Sequence, residues 1–180
     1  MYTSYKEEMN RVLLRMNDAP FNIALAEIVK AIKSETPIHI FGNGGSSATA
    51  SHFVVDWKKG AGNLLGVSPQ VFCLTDNVPL LTAIANDVSY EDIFSEMLRM
   101  SAKKGDIALA ITGSGNSLNV IKGLKKANEL GCHSIALTGF DGGVTGTLVQ
   151  LNCHVPSDNI QIVEDIHSTF GHAVVRSLMK

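Results

Sequence analysis

The sequence predicts an α/β fold in which helices cover both faces of a central parallel sheet, a three-layer α/β/α sandwich. Short apolar runs such as IHIF (38–41) and DIALAIT (106–112) alternate with stretches whose apolar residues recur at helical spacing. Runs that are apolar at nearly every position are typical of parallel strands buried on both faces. The length of 180 residues is that of one domain. We therefore expect a single domain over 1–180, with right-handed crossovers between strands.

The N-terminal part of the chain precedes the first predicted strand. Apolar residues at helical spacing predict helices over 5–17 and 22–34, separated near Asp18-Ala19-Pro20. Surplus apolar surface on such helices often forms a subunit interface. We expect residues 1–35 to be a helical oligomerisation segment.

The rest of the chain alternates strands and helices. The predicted strands are 38–41, 71–75, 106–112, 133–139 and 153–156, and the predicted helices are 47–58, 79–86, 92–103, 118–130 and 160–179. In open parallel sheets, ligands bind beyond the carboxyl ends of the strands. Three loops with glycine and hydroxyl-bearing residues follow predicted strands here: GNGGSS, TGSGNS and TGFDGG.

Composition argues against several classes of function. The net charge of −2 and the small size of the Lys clusters disfavour nucleic-acid binding. No apolar run approaches the ~20 residues that span a bilayer, and the N-terminus lacks the basic and apolar blocks of a secretory signal. We therefore expect a cytoplasmic protein with no membrane partner. The three cysteines are widely spaced in apolar surroundings, which predicts neither a disulfide framework nor a zinc knuckle.

The loop after the first strand, GNGGSS (42–47), predicts an anion-binding site. Its glycines let the backbone approach a ligand, and Ser46 and Ser47 place hydroxyls beside the positive end of the following helix. Phosphate is the natural ligand of such a loop. Strand-to-helix turns also use glycine for steric reasons alone, so this loop is weak evidence by itself.

The loop TGSGNS (112–117) strengthens the prediction of a phosphate site. It supplies three hydroxyl-bearing residues just before a helix, where a plain turn or cap needs one. Two such loops at strand ends favour a phosphorylated small molecule. A nucleotide is disfavoured because the chain has neither the dinucleotide-binding glycine spacing with its later acidic residue nor GxxxxGK[ST].

Four segments together resemble a known family. GNGGSSATASHF, TGSGNSLNVIKGLKKA, LTGFDGG and VPSDNIQIVEDIHSTFGH are similar, in this order, to the motifs of the sugar isomerase (SIS) domain family, specifically its phosphoheptose isomerase branch. The resemblance implies a flavodoxin-like sheet and the conversion of sedoheptulose 7-phosphate to D-glycero-D-manno-heptose 7-phosphate for lipopolysaccharide or capsule synthesis. It also implies a homotetramer with active sites at subunit interfaces and a zinc ion in each subunit.

The resemblance also assigns roles to individual residues. Phosphate would be bound by Ser46, Thr112, Ser114 and Ser117, with Asn43, Gly44 and Asp87 near the sugar chain. The metal would be held by His52, Asp56, Glu164 and His172, and catalysis would fall to Asp56, Glu164 and His172. Isomerisation moves a proton between C1 and C2 through an enediol, and we expect Asp56 and His172 to be the acid–base pair. Four groups that all bind metal cannot all be free bases.

Helical spacing constrains the catalytic residues. His52 and Asp56 are four residues apart, so their side chains share a helix face and can hold one metal ion or one pair of substrate oxygens. Glu164 and His172 are roughly 12 Å apart along the last helix, so they need not serve one site from the same chain. The alternatives are a surface role for His52 and Asp56 and a surface pair of Glu164 with His167.

Three residues depart from the pattern of the branch. Asp56 stands where Glu is usual, Glu164 where Gln is usual and Gln161 where Asp is usual. The shorter Asp56 shifts a carboxylate by about one methylene, and misplacement near 1 Å can cost ~100-fold in rate. The extra charge of Glu164 would strengthen a divalent metal site or raise the pKa of a neighbouring histidine. The alternative functions are therefore a noncatalytic SIS-type module that binds a phosphosugar or a protein, of the replication-initiator-associating type, and an isomerase of a different phosphosugar.

Overall fold

Residues 1–179 are described by a computed structural model, in which a five-stranded parallel sheet carries helices on both faces. The strands are β1 (Ile38–Gly42), β2 (Val71–Cys73), β3 (Ile107–Thr112), β4 (His133–Thr138) and β5 (Leu151–His154). The helices are α1 (Tyr2–Arg15), α2 (Asp18–Lys33), α3 (Gly44–Val54), α4 (Gly62–Leu65), α5 (Val78–Asp87), α6 (Ile93–Ser101), α7 (Leu118–Glu129), α8 (Gly143–Leu148) and α9 (Ile160–Leu178). The strand order β2-β1-β3-β4-β5 is flavodoxin-like, so the predicted fold class is confirmed.

The two faces of strands β3 and β4 carry side chains of different size. In β3, Leu109 and Ile111 point to the core shared with α2, α3 and α9, whereas Ala108 and Ala110 point to the core shared with α6 and α7. The small side chains let α7 lie close to the sheet. A Cβ atom added at Gly123 of α7 would lie 3.0 Å from the Phe41 ring of β1. The position of α7, and of the loop that leads into it, is therefore set by a tightly packed core.

The N-terminal helices pack against α9, and α2 also packs against the main core. Residues of α2, including Ile28, are fully buried, whereas α1 buries Val12 and is otherwise largely exposed. The break between them is at Asn17, whose side chain accepts a hydrogen bond from Ala19 N at 3.1 Å. Pro20 lies in the first turn of α2, where it is tolerated, so α2 begins four residues before the predicted start at 22.

The helix predicted over 47–58 extends further at both ends. It begins at Gly44 and continues past α3 as a π-helical segment, Val55–Ala61, and then as α4. Trp57 and Ala61 are fully buried, so apolar contacts hold the chain helical through the predicted glycine-containing connection. The segment ends at Gly66, whose φ of +66° is the left-handed conformation common after helices.

The C-terminal elements contain one helix that the sequence pattern does not predict. α8 follows the predicted FDGG turn, and its composition of Gly, Val and Thr gives no helical periodicity. β5 begins at Leu151, two residues before the predicted strand. Among the helices of residues 1–179, none combines the length and the apolar composition that a membrane span requires.

Candidate active site

The glycine-rich loop lies between β1 and α3, at the point where the strand order reverses. Gly42 is opposite Ile111 of β3, and a Cβ atom on Gly42 would overlap the Ile111 carbonyl oxygen. Gly44 has a φ of +53°, which lets the chain turn directly into α3. Ser46 is buried in the first turn of α3, and the Ser47 hydroxyl bonds the Thr75 hydroxyl after β2. The first helical N–H groups are thus presented at the switch point between β1 and β3.

The second hydroxyl-rich loop lies beside the first, between β3 and α7. The Thr112 hydroxyl is buried and accepts a hydrogen bond from Gly115 N at 3.2 Å, which closes the loop. The Ser114 hydroxyl is exposed and accepts from Asn116 N at 3.3 Å. Ser117 is the N-cap residue of α7 but makes no side-chain cap bond, which leaves its hydroxyl available to a ligand. The predicted phosphate-binding residues therefore come together on adjacent strand ends.

The TGFDGG loop after β4 supports the second loop. A Cβ atom on Gly143 would come within 2.5 Å of the Ser114 carbonyl oxygen, so the two backbones are in close contact. Thr145 N donates to Gly115 O at 2.9 Å, and Val144 N donates to Asn116 Oδ1 at 3.1 Å. This third loop holds the shape of the TGSGNS loop.

Two residues at the site, Asn119 and Tyr90, are absent from the sequence prediction. Asn43 and Asn119 exchange two amide hydrogen bonds of 2.9 Å, and the Tyr90 hydroxyl donates to Asn43 Oδ1 at 3.1 Å. Asn119 is almost fully buried, and its local sequence gives no signal of this role, because the burial and the bonds to Asn43 depend on how α7 packs. These bonds fix the side chain of Asn43 in the first loop. Asp87 lies three residues before Tyr90 and accepts from its neighbour Asn86 at 2.8 Å.

The predicted metal and catalytic residues His52, Asp56 and His172 form one cluster within a single chain. Nε2 of His52 and Nε2 of His172 are 3.0 Å apart and share a hydrogen bond. Oδ2 of Asp56 lies 3.4 Å from Nε2 of His52 and 3.7 Å from Nε2 of His172. The two imidazoles are about half exposed, so a small ligand can reach them from solvent. His52 and Asp56 thus share a helix face, as their spacing predicts.

This cluster fits a divalent metal. Zinc bound tetrahedrally at ~2.0–2.1 Å places its ligand atoms about 3.3 Å apart, and the separations of 3.0, 3.4 and 3.7 Å bracket that value. Two imidazoles with one carboxylate are also the donor set of zinc sites that keep an open position for substrate. His52, Asp56 and His172 are therefore a candidate metal site.

Glu164 lies outside this cluster. A Cβ atom on Gly45 would overlap Oε1 of Glu164, which places the carboxylate against the first phosphate loop of the same chain. Its side chain is partly buried. The structure thus brings three of the four predicted metal residues together and directs the fourth toward the glycine-rich loop.

The alternative that Glu164 pairs with His167 on the surface is wrong. His167 is fully buried, and its Nε2 atom donates to the Thr138 carbonyl oxygen at 3.2 Å. Burial lowers the pKa of His167 to about 4, so its imidazole is neutral at pH 7. Asp165 accepts a hydrogen bond from the Tyr5 hydroxyl at 2.7 Å, which raises the pKa of Tyr5 to about 12 and joins α9 to α1.

Comparisons with known proteins agree with this geometry. A model of the SIS domain family matches residues 4–139. The chain is 38% identical over 174 residues to a protein of Thermoplasma acidophilum named probable phosphoheptose isomerase, with 94% of this chain and 93% of the relative covered. It is 36% identical over 177 residues to the phosphoheptose isomerase of Aliarcobacter butzleri, covering 96% and 90% of the two chains. The solved phosphoheptose isomerase GmhA of Neisseria gonorrhoeae matches with a TM-score of 0.85 at 30% identity, covering 98% of this chain and 96% of that one. The chain belongs to the SIS domain family.

Proposed function

We propose that this chain is a phosphoheptose isomerase that converts sedoheptulose 7-phosphate to D-glycero-D-manno-heptose 7-phosphate. The observation that carries the proposal is the position of the His52–Asp56–His172 cluster relative to the phosphate loops. α3 begins in the first loop, and the rise from Ser46 to His52 is about 9 Å along the helix axis. This distance is on the scale of an extended seven-carbon chain that carries phosphate at one end and its carbonyl group near the other. Curated relatives that cover nearly the whole chain are named for this reaction.

The reaction needs a group that removes the C1 proton and returns it to C2. It also needs groups that donate protons to the sugar oxygens and accept protons from them. In the absence of metal, Asp56 and His172 carry these proton transfers. Oδ2 of Asp56 and Nε2 of His172 are 3.7 Å apart, and they lie 3.4 and 3.0 Å from Nε2 of His52. The two phosphate loops hold the distant end of the sugar, so the reacting carbons stay in register with the cluster.

We assign a zinc ion to His52, Asp56 and His172. When bound, zinc polarises the carbonyl group and the neighbouring hydroxyl of the sugar. The side chains that ligate it are then not available as bases. Glu164 lies beside Gly45 and outside the three-residue cluster, so it is the carboxylate that stays free to move the proton between C1 and C2. The Gln that is usual at this position in the branch has no basic group. Replacing it with Glu164 therefore adds a base to the site.

We further propose that the N-terminal helices assemble the chain into a homotetramer. In α1, Leu14 is 79% exposed and Leu13 is 44% exposed, and Ile23 of α2 is 49% exposed. Surfaces of this kind are covered in oligomers. The tetramer with interface sites, the cytoplasmic location and the use of the product for lipopolysaccharide or capsule remain predictions from the family resemblance. Size-exclusion chromatography with light scattering tests the tetramer directly.

The test of the activity is an incubation with sedoheptulose 7-phosphate in deuterium oxide, with metal-free protein and with added zinc. Mass spectrometry and NMR follow aldose formation and deuterium entry at C2. We expect aldose product labelled at C2, with faster turnover in the presence of zinc. Glu164→Gln is compared with the wild type in zinc-loaded protein, and Asp56→Asn is compared in metal-free protein, where loss of a metal ligand has no effect. In each state, loss of exchange with ligand-induced stabilisation retained identifies the substituted carboxylate as the base. Folded wild-type protein that binds the sugar phosphate without turnover or exchange would refute the isomerase and indicate a binding module. Turnover of other sugar phosphates alone would reassign the substrate.

A further inference from the structure

The cluster residues lie beside three buried residues that join α9 to the helix of the first loop. His52 precedes Phe53, Asp56 precedes Trp57, and His172 follows Gly171. Phe53 and Trp57 are fully buried, and their rings stack with centroids 4.8 Å apart and planes at 23°. Consecutive residues on a helix point in directions about 100° apart. In each of these three pairs, the buried residue therefore faces the core while the adjacent cluster residue faces the site.

Gly171 allows the two helices to approach closely. A Cβ atom at this position would fall within 2.6 Å of the Cζ atom of the Phe53 ring and still closer to two other ring carbons. No side chain larger than hydrogen fits there unless α9 or the buried Phe53 ring moves. The Phe53 ring therefore lies directly on the backbone of α9, one residue before His172.

The Trp57 indole adds a directional hydrogen bond to this contact. Its Nε1–H donates a hydrogen bond of 3.1 Å to the carbonyl oxygen of Gly171, and both partners are buried. Trp57 lies in the π-helical segment Val55–Ala61, whose wider turn differs in phase from the α-helix before it. Ring contact with Phe53 fixes the distance between the helices, and the indole bond fixes their relative rotation and translation.

We propose that Trp57 is a positioning residue, whose hydrogen bond to Gly171 sets the separation of Asp56 and His172 in the cluster. The inference rests on the proposed isomerase function only for its kinetic consequence. Asp56 and His172 are 3.7 Å apart across two different elements, and the indole bond is a buried polar link between their immediate neighbours. The shorter Asp56 tolerates little displacement, which makes the link a requirement of this particular chain.

The decisive variant is Trp57→Phe, which keeps an aromatic ring on Phe53 and removes the N–H donor. Phe94→Leu is the matched control, because Phe94 is an equally buried aromatic residue in the core on the other face of the sheet. The first readout is the ring 15N–1H NMR signals of His52 and His172 in metal-free protein. We expect these signals to move in Trp57→Phe and to stay in place in Phe94→Leu, while both variants remain folded by circular dichroism.

Two further readouts link the position to chemistry. We expect the zinc affinity of Trp57→Phe, measured by chelator competition, to fall about 10- to 100-fold, as for other residues that orient metal ligands. We expect kcat to fall by about tenfold with KM for the sugar phosphate nearly unchanged, because the phosphate loops are untouched. Histidine signals in Trp57→Phe that superimpose on those of the wild type would overturn the proposal. A wild-type protein without turnover would refute the isomerase function, but the metal-free NMR comparison would still decide the role of Trp57.

Discussion

Buried His167 should make the stability of this protein fall in mild acid. Its imidazole lies in the core between α9 and β4, where Nε2 donates to the Thr138 carbonyl oxygen and Nδ1 has no hydrogen-bond partner among residues 1–179. Burial lowers its pKa to about 4, whereas a histidine in the unfolded chain titrates near ~6.5. Between these values the unfolded chain binds the proton and the folded chain does not. The free energy of unfolding therefore decreases as pH falls from above 6.5 to about 4, and this contribution is constant outside that window.

The magnitude follows from the two pKa values. A difference of about 2.5 pKa units corresponds to about 3 kcal/mol when titration is complete, and about 2 kcal/mol of this is lost between pH 7.5 and pH 5. The loss between pH 7.5 and pH 5 is the quantity to measure, because the His167 imidazole of the folded protein is still almost entirely neutral at pH 5. A loss of this size is a substantial fraction of the stability of an ordinary domain.

Urea unfolding at pH 7.5 and pH 5, at one protein concentration, measures this loss. His167→Gln keeps an amide nitrogen near the position of Nε2 but does not titrate, so the variant should lose about 2 kcal/mol less than the wild type between the two pH values. His154→Gln is the matched control, because His154 also bonds a backbone carbonyl, that of Phe140 at 3.0 Å, but from a partly exposed position. Equal losses in wild type and His167→Gln would refute the reasoning.

Three other substitutions test the site and its supports. Gly45→Ala places a methyl group against the Glu164 carboxylate and should lower kcat at least about tenfold, since displacements of ~1 Å have effects of this size. Unchanged steady-state kinetics would contradict the placement of Glu164. Ser117→Ala removes a hydroxyl that makes no cap bond, so it should weaken sugar-phosphate binding in calorimetry by about 1.5–3 kcal/mol and leave the melting temperature unchanged. Tyr5→Phe removes the bond to Asp165 and should lower the free energy of unfolding by about 1 kcal/mol, with faster amide exchange in α1; equal exchange in both proteins would show that the bond does not hold the helix.

The sequence predicts the order of strands and helices because each element has its own local signal. The continuous apolar runs predict β1, β3 and β4 to within a residue or two at each end. The extension of α3 through the π-helical segment is not visible in the local pattern, because it depends on where Trp57 and Ala61 find their core partners. The same is true of α8, whose backbone is held by the TGSGNS loop of a different strand.

The candidate site divides in the same way. Hydroxyl-rich loops and the spacing of His52 and Asp56 are local signals, so sequence alone identifies them. The approach of His172 to these two residues depends on the packing of α9, which brings together parts of the chain that are 120 residues apart. Asn119 and Tyr90 escape prediction for a related reason, because their roles arise from their contacts with Asn43. The position of Glu164 outside the metal cluster likewise depends on the direction of one side chain on α9.

The unequal faces of the sheet have a consequence for how this protein can diverge. Alanine at 108, 110 and 136 and glycine at 123 leave α7 almost no clearance above the strands. Any gain of volume at these positions has to lift the helix, whose N-cap residue is Ser117 and whose first turn carries Asn119. Substitutions at these positions can therefore change ligand affinity although their side chains do not contact the ligand. We expect sequence change to be accepted more readily among the large residues of the opposite face, where one side chain can shrink as its neighbour grows.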